Sequence, residues 1–163
     1  MNDPVEKSFE QTEQIWAPVI GSFILEFATI EDYLHSVISW YLSDKFLTEA
    51  DLRESLTSRL SLFKKIMHSL IDMQHNRFQL ENSVEGIRKL ISIRNLLAHN
   101  SLSLEMEQTS EGSIREIGPI ISGRRDPDSS ITLDALKLKL FDIKRYRNDL
   151  EDLLVIFHKH TYK

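Results

Sequence analysis

Apolar residues recur at three- and four-residue steps over most of this chain, and that spacing restricts the fold more than any other feature. Trp16, Val19, Ile20, Phe23, Phe27, Ile30, Leu34, Val37 and Tyr41 fall on one face of a helix. They predict a first helix from about Gln11 to Leu42, behind a flexible leader of residues 1–10. Pro18 marks either the first turn or a kink, because it has no N–H to give. Thr48, ahead of Glu49 and Asp51, reads as the cap of a second helix. Leu52, Leu56, Leu60, Phe63, Ile66, Met67, Leu70 and Ile71 carry that helix to about Met73. Gln74-His75-Asn76 reads as a polar break. A third helix then spans Asn82 to His99, with Val84, Ile87, Leu90, Ile91 and Leu97 inward. Asn100 suits the position just past a helix end, since asparagine tolerates left-handed backbone.

Beyond Asn100 the period changes. Ser101 to Met106 alternates apolar and polar, as a half-buried strand does. Glu111-Gly112-Ser113 is a turn signal. Ile114 to Ser122 is the returning strand, and residues 123–129 form a polar loop. Thr132 caps a last helix reaching about Tyr162. The fold class expected is mainly α: an antiparallel four-helix bundle with a small β-hairpin between helices 3 and 4, forming a single domain from 11 to 163. The hairpin is too small to stand alone.

Composition narrows the function classes. The chain has 163 residues, 41% hydrophobic and 28% charged, which suits a globular domain with its own core. It has no cysteine, so disulfides, thiolate metal sites and a cysteine nucleophile are excluded. No secretory pattern opens the sequence and no apolar run reaches membrane-spanning length, so a cytoplasmic location and no membrane partner are expected. A net charge of −5 argues against broad nucleic-acid coating but allows a small basic cleft. Arg124-Arg125 and the line Lys137, Lys139, Lys144, Arg145 and Arg147 are the basic features. Such patterns are more often solvated faces than binding sites.

The chemistry-bearing stretch is Ile93-Arg94-Asn95-Leu96-Leu97-Ala98-His99-Asn100. Arginine grips phosphate with a planar fork of donors. Histidine moves a proton near neutral pH. On an ideal helix Arg94 and His99 diverge by about 140°, whereas Asn95 and His99 share a face. A swing of the arginine, or a second copy of the same helix, would bring the set together; Ala98 is small enough to admit a second backbone. The plainer reading is a histidine placed against the helix dipole and an arginine paired with a carboxylate. Glu31 lies within the apolar stripe Ile20, Ile24, Phe27, Leu34 and Ile38, so it needs a partner. Arg94 or Asn95 is the expected one; an edge position open to water is the alternative.

His35 follows Glu31 by four residues without a third metal ligand in view. His68 and His75 stand apart from other ligand-type residues. His158 and His160 fall in a terminal segment of the kind that frays. There is no phosphate-binding glycine loop and no paired-histidine zinc motif. A serine triad at Ser101 or Ser103 lacks a carboxylate orienter.

Arg94-Asn95-Leu96-Leu97-Ala98-His99 resembles the R-x4-H motif of the HEPN superfamily, including the polar residue that often follows its arginine. The order of elements is also similar, from Gln11 to Phe157, with an acidic residue (Glu31) inside the first helix. The hairpin departs from the simplest four-helix pattern. The resemblance implies a homodimer whose motif helices face each other. It further implies a metal-independent endoribonuclease of a toxin–antitoxin or antiviral defence type, with Arg94, His99 and Asn95 catalytic and Glu31 and Asn100 supporting. No metal and no cofactor are expected. RNA would be the substrate, and an antitoxin or other protein a further partner. The rival is a non-catalytic HEPN-like dimer that serves as an interaction or regulatory module. A nucleotide-binding helical domain is a third reading.

Overall fold

The computed structural model describes residues 4–42, 53–70, 74–108, 114–123 and 129–161. The described chain is mainly helical, with a small antiparallel sheet placed between its last two helices. In chain order the elements are α1 (Pro4–Leu42), α2 (Leu56–Leu70), α3 (Gln74–His99), β1 (Leu102–Gln108), β2 (Ile114–Ser122), β3 (Ser130–Ile131) and α4 (Leu133–Thr161).

Most of the apolar stripe is buried, while Val19, Ile20, Tyr41, Leu56 and Ile91 are half-buried. Trp16, Phe23, Phe27, Ile30, Leu34 and Val37 of α1 are all buried, as are Leu60, Phe63, Ile66 and Met67 of α2. Val84, Ile87, Leu90 and Leu97 of α3 and Leu136, Ile143, Leu150, Leu153, Leu154 and Phe157 of α4 follow the same rule. Burying such side chains is the main favourable contribution to folding, at about 1.5–3 kcal/mol each before entropy is counted.

Several boundaries differ from the sequence expectation. α1 begins at Pro4, so the segment read as a leader is helical from there. Proline is favoured at a first helical position, where its missing N–H has no bond to lose. Pro18 therefore lies well inside α1 rather than in its first turn. The Thr48 cap lies outside the described residues. α2 starts at Leu56, where the Ser55 hydroxyl accepts a hydrogen bond from the Ser58 N–H at 3.2 Å. Ser55 thus fills one orphan donor of the first turn. Gln74-His75-Asn76 opens α3 instead of breaking the chain, eight residues before the expected start at Asn82. Leu80, fully buried and four residues ahead of Val84, extends the stripe, and the polar residues around it (Arg77, Gln79, Glu81) are good helix formers.

The far end of α3 falls at His99, as expected. The Leu96 carbonyl accepts from both the backbone N–H of Asn100 (3.1 Å) and its side-chain Nδ2 (2.9 Å). Asn100 therefore stops the helix by satisfying a terminal carbonyl twice. Thr132 caps α4 as read from the sequence: its Oγ1 accepts from the Ala135 N–H at 3.4 Å.

The hairpin gains a third strand, in the order β1-β2-β3. β1 and β2 pair antiparallel from Leu102↔Ile121 to Gln108↔Ile114. Glu105 faces Gly118 and Met106 faces Glu116, which leaves Ile117 unopposed in a bulge. Gly118 has φ +144°, a backbone region that disfavours any side chain. β3 pairs only at Ile121↔Ile131 and Ser122↔Ser130. Two residues are too few to show an alternation in the sequence.

Two compact units divide the chain. One comprises residues 1–24 and 91–141. Its buried side chains include Trp16, Phe23, Leu96, Leu97, Ile121, Ile131 and Leu136. The other comprises residues 25–90 and 142–163. Within it, ion pairs tie helix to helix. Glu31 accepts from Arg59 at 2.7 Å, Glu26 from Arg147 at 3.0 Å and Glu81 from Lys64 at 2.9 Å. The buried Ser83 hydroxyl donates to Asp149 at 2.8 Å, and Gln79 donates to the same carboxylate at 3.3 Å. Gly86 lies against Tyr146 so closely that a Cβ there would collide with the ring. This packing, not a turn, is what requires a glycine at that point.

Candidate functional site

The end of α3 brings Arg94, Asn95 and His99 onto two successive turns within one compact unit. Asn95, Ala98 and His99 are exposed, and Arg94 and Asn100 are half-buried. Arg94 donates from Nη1 to Oδ1 of Asn95 at 3.2 Å. This bond bears on the facing problem posed by the five-residue spacing. Asn95 stands about 40° from His99 around the helix, so an arginine held by Asn95 is turned toward the histidine's side. Ala98 leaves a shallow place on the same exposed surface, where a methyl group is all that rises from the backbone.

Electrostatics there are simple. His99 is at the C-terminal end of α3, where the unpaired carbonyls favour a cation. The double donation from Asn100 to Leu96 holds the last turn closed and fixes where the histidine's Cα sits.

One cation at Glu31 comes from Arg59 of α2, beside the expectation of Arg94 or Asn95. The carboxylate, 28% exposed, accepts from Nη2 of Arg59 at 2.7 Å. Arg59 and Glu31 both belong to the unit of residues 25–90 and 142–163. The demand for a partner was legible, whereas the contribution of α2 was not, because periodicity orders residues around one helix and does not pair two helices.

The remaining histidines sort as follows. His35 is exposed. His68 is not isolated: its Nε2 lies 3.0 Å from Glu81, which Lys64 also holds. Those two partners, Lys64 first, hold the Glu81 carboxyl below its ordinary value against the opposing effect of burial. The ring of His158 meets the edge of Phe157 with centroids 5.6 Å apart, in a helix that continues to Thr161. The side chains of His75 and His160 lie outside the described residues.

The basic line on α4 divides in two. Arg147 turns inward to Glu26, which raises its pKa above the ordinary arginine value, and it also holds Glu151 at 2.8 Å. Lys137 pairs with Asp134, and Arg145 lies over the Tyr146 ring at 4.9 Å. Lys144 is exposed. Arg124 and Arg125 lie outside the described residues.

One feature had no signal in the sequence. A cleft of about 270 Å³ opens in the unit of residues 1–24 and 91–141. Its walls are Ser92, Ile93 and Leu96 of α3, Ser129, Ser130 and Ile131 around β3, and Ala135 and Lys139 of α4. Leu96 is the residue whose carbonyl Asn100 caps, so the cleft's floor and the motif share a turn of helix.

No family model, curated protein or solved structure matches this chain.

Proposed function

We propose that the chain is a metal-independent endoribonuclease of the HEPN type. In this reading its helices form an antiparallel four-helix bundle, and it acts as a homodimer of a toxin–antitoxin or antiviral defence kind. The observation that carries this reading is the end of α3. There Asn95, Ala98 and His99 are exposed together, and Arg94 is bonded to Asn95.

A two-fold dimer makes each motif meet its own copy. Two Arg94–Asn95–His99 sets then line one cleft. The RNA 2′-hydroxyl attacks the adjacent phosphorus, and the 5′-oxygen leaves. One His99 removes the 2′-proton and the other returns a proton to the leaving oxygen, work that contributes typically ~10²–10⁴-fold. Arg94 faces the charge that builds on the phosphoryl oxygens. Asn95 orients Arg94 and, through it, the phosphate. The products are a 2′,3′-cyclic phosphate and a 5′-hydroxyl.

The net charge of −5 favours a second reading, a dimeric module that binds protein and cuts nothing, because RNA clefts usually need a more basic surface. Incubation with end-labelled RNA in excess EDTA separates the two. Cleavage by the wild-type chain, lost in His99→Ala with the dimer intact by light scattering, supports the nuclease. Uncut RNA at high concentrations of a stable dimer supports the module. A strict monomer removes the composite site and both readings with it.

A further inference from the structure

The cleft beside the motif combines an apolar floor with a hydroxylated rim. Ile93, Leu96 and Ile131 supply the floor. Ser92, Ser130 and Lys139 supply polar groups at its edge. At about 270 Å³ it lies just under the usual ~300–1,000 Å³ of small-molecule sites, which suits one ring system rather than several. Ser92 and Ser130 are themselves exposed, so a ligand reaches their hydroxyls from solvent.

The position matters as much as the shape. Around α3, His99 stands about 40° from the midpoint of Ser92 and Leu96, and about 8 Å farther along the axis. The motif and the cleft are neighbouring parts of one compact unit. A strand of RNA whose phosphate lies at His99 has an adjoining nucleotide within reach of the cleft.

We propose that this cleft receives one unpaired nucleobase of the RNA, next to the phosphodiester that is cut. The proposal rests on the nuclease reading and adds to it a subsite that favours an unpaired nucleotide, because extruding a paired base costs unpairing and unstacking energy. The base lies against Ile93, Leu96 and Ile131. Serine hydroxyls serve as donor or acceptor by rotation, so Ser92 and Ser130 meet the polar edge of any base. Lys139 brings an ammonium to the neighbouring phosphate. Among the described residues no aromatic ring lines the cleft, so the base is held by aliphatic contact and edge hydrogen bonds rather than by stacking. Base choice is accordingly mild.

Two measurements on the full-length chain test this. Isotope-labelled protein is titrated with each nucleoside 5′-monophosphate, and amide shifts are followed by NMR. Shifts centred on Ser92, Leu96, Ile131 and Lys139 are expected. Silence there, or shifts centred elsewhere, overturns the subsite. Separately, Ala135→Leu narrows the cleft without touching the motif, and Ser130→Ala with Lys139→Gln weakens its rim should the filled variant fail to fold. A roughly tenfold rise in the RNA concentration for half-maximal cleavage is expected, the size of about one lost hydrogen bond, with the maximal rate kept. Unchanged concentration dependence in a folded variant counts against the subsite and leaves the nuclease standing. Monophosphate shifts in a chain that cuts no RNA keep the base site and remove the nuclease.

Discussion

The ion-paired side chains of residues 25–90 and 142–163 differ in setting from Asn95 and His99, which lie exposed at the end of α3. In the first region carboxylates and cations reach from helix to helix: Glu31 to Arg59, Glu26 to Arg147, Glu81 to Lys64. These groups are partly screened from water, and each pair fixes one helix against another. At the end of α3, Arg94 bonds to the residue beside it, while Asn95 and His99 remain exposed. Charges held between helices serve the fold. Polar groups presented together on an open surface, one of them able to shuttle protons at neutral pH, are available to a ligand.

The contrast predicts that substitutions in the two regions fail in different assays. The largest effect belongs to His99→Ala: RNA cleavage should fall by ~10²–10⁴-fold while the melting temperature stays within a degree or so of wild type, since an exposed position contributes little to stability. A matched loss of stability would place His99 with the structural set and collapse the distinction. Next comes Gly86→Ala, which drives a methyl group into the Tyr146 ring. Overpacking of this kind costs typically ~1–3 kcal/mol, read as a lower urea midpoint. A midpoint equal to wild type would mean the ring swings clear.

Arg59→Ala should destabilise by about 1–3 kcal/mol, because it leaves the Glu31 carboxylate without its 2.7 Å donor. Coupling between Arg59→Ala and Glu31→Gln in a double-mutant cycle would confirm the pair, and strict additivity would dissolve it. The smallest effect concerns Glu81. Its lowered pKa means that it favours the folded state above the ordinary carboxylate range, and that this contribution disappears as pH falls through the lowered value. The side chain is about half exposed, so screening keeps the effect slight. Glu81→Gln should melt marginally lower than wild type at pH 7 and together with it in strong acid. A gap that widens toward acid would reverse the assignment.

Sequence reasoning did best where a structural feature is encoded by adjacent residues. The end of α3 at His99, the Thr132 cap and the span of β2 all rest on chemistry within a turn of the backbone. The stripes of α1, α2 and α3 were legible for the same reason, since one period governs each. Helix starts were harder. Gln74-His75-Asn76 carries polar residues that loops and first turns use alike, and Pro4 can end one segment or begin the next. Partners between helices were the least accessible. The stripe around Glu31 announced a buried carboxylate, yet choosing Arg59 requires knowing how α1 and α2 lie against each other. The bulge at Ile117 and the cleft beside Leu96 also depend on placements in space that no local pattern records. Of the candidate site, the residue types and their shared helix end were readable, while the Arg94–Asn95 bond and the neighbouring cleft were not.

The sheet's narrow end carries an engineering consequence. Ser122 pairs with Ser130, and the Gly123 N–H donates to the Ser129 carbonyl at 2.7 Å. Those two rungs close a stem whose ends are held independently of whatever chain joins them. Lengthening the connector between them should be cheap, since each doubling of a flexible loop adds only about 0.6 kcal/mol of closure entropy. A reporter tag or affinity peptide spliced between Gly123 and Ser129 should therefore leave the sheet zipped and α4 capped.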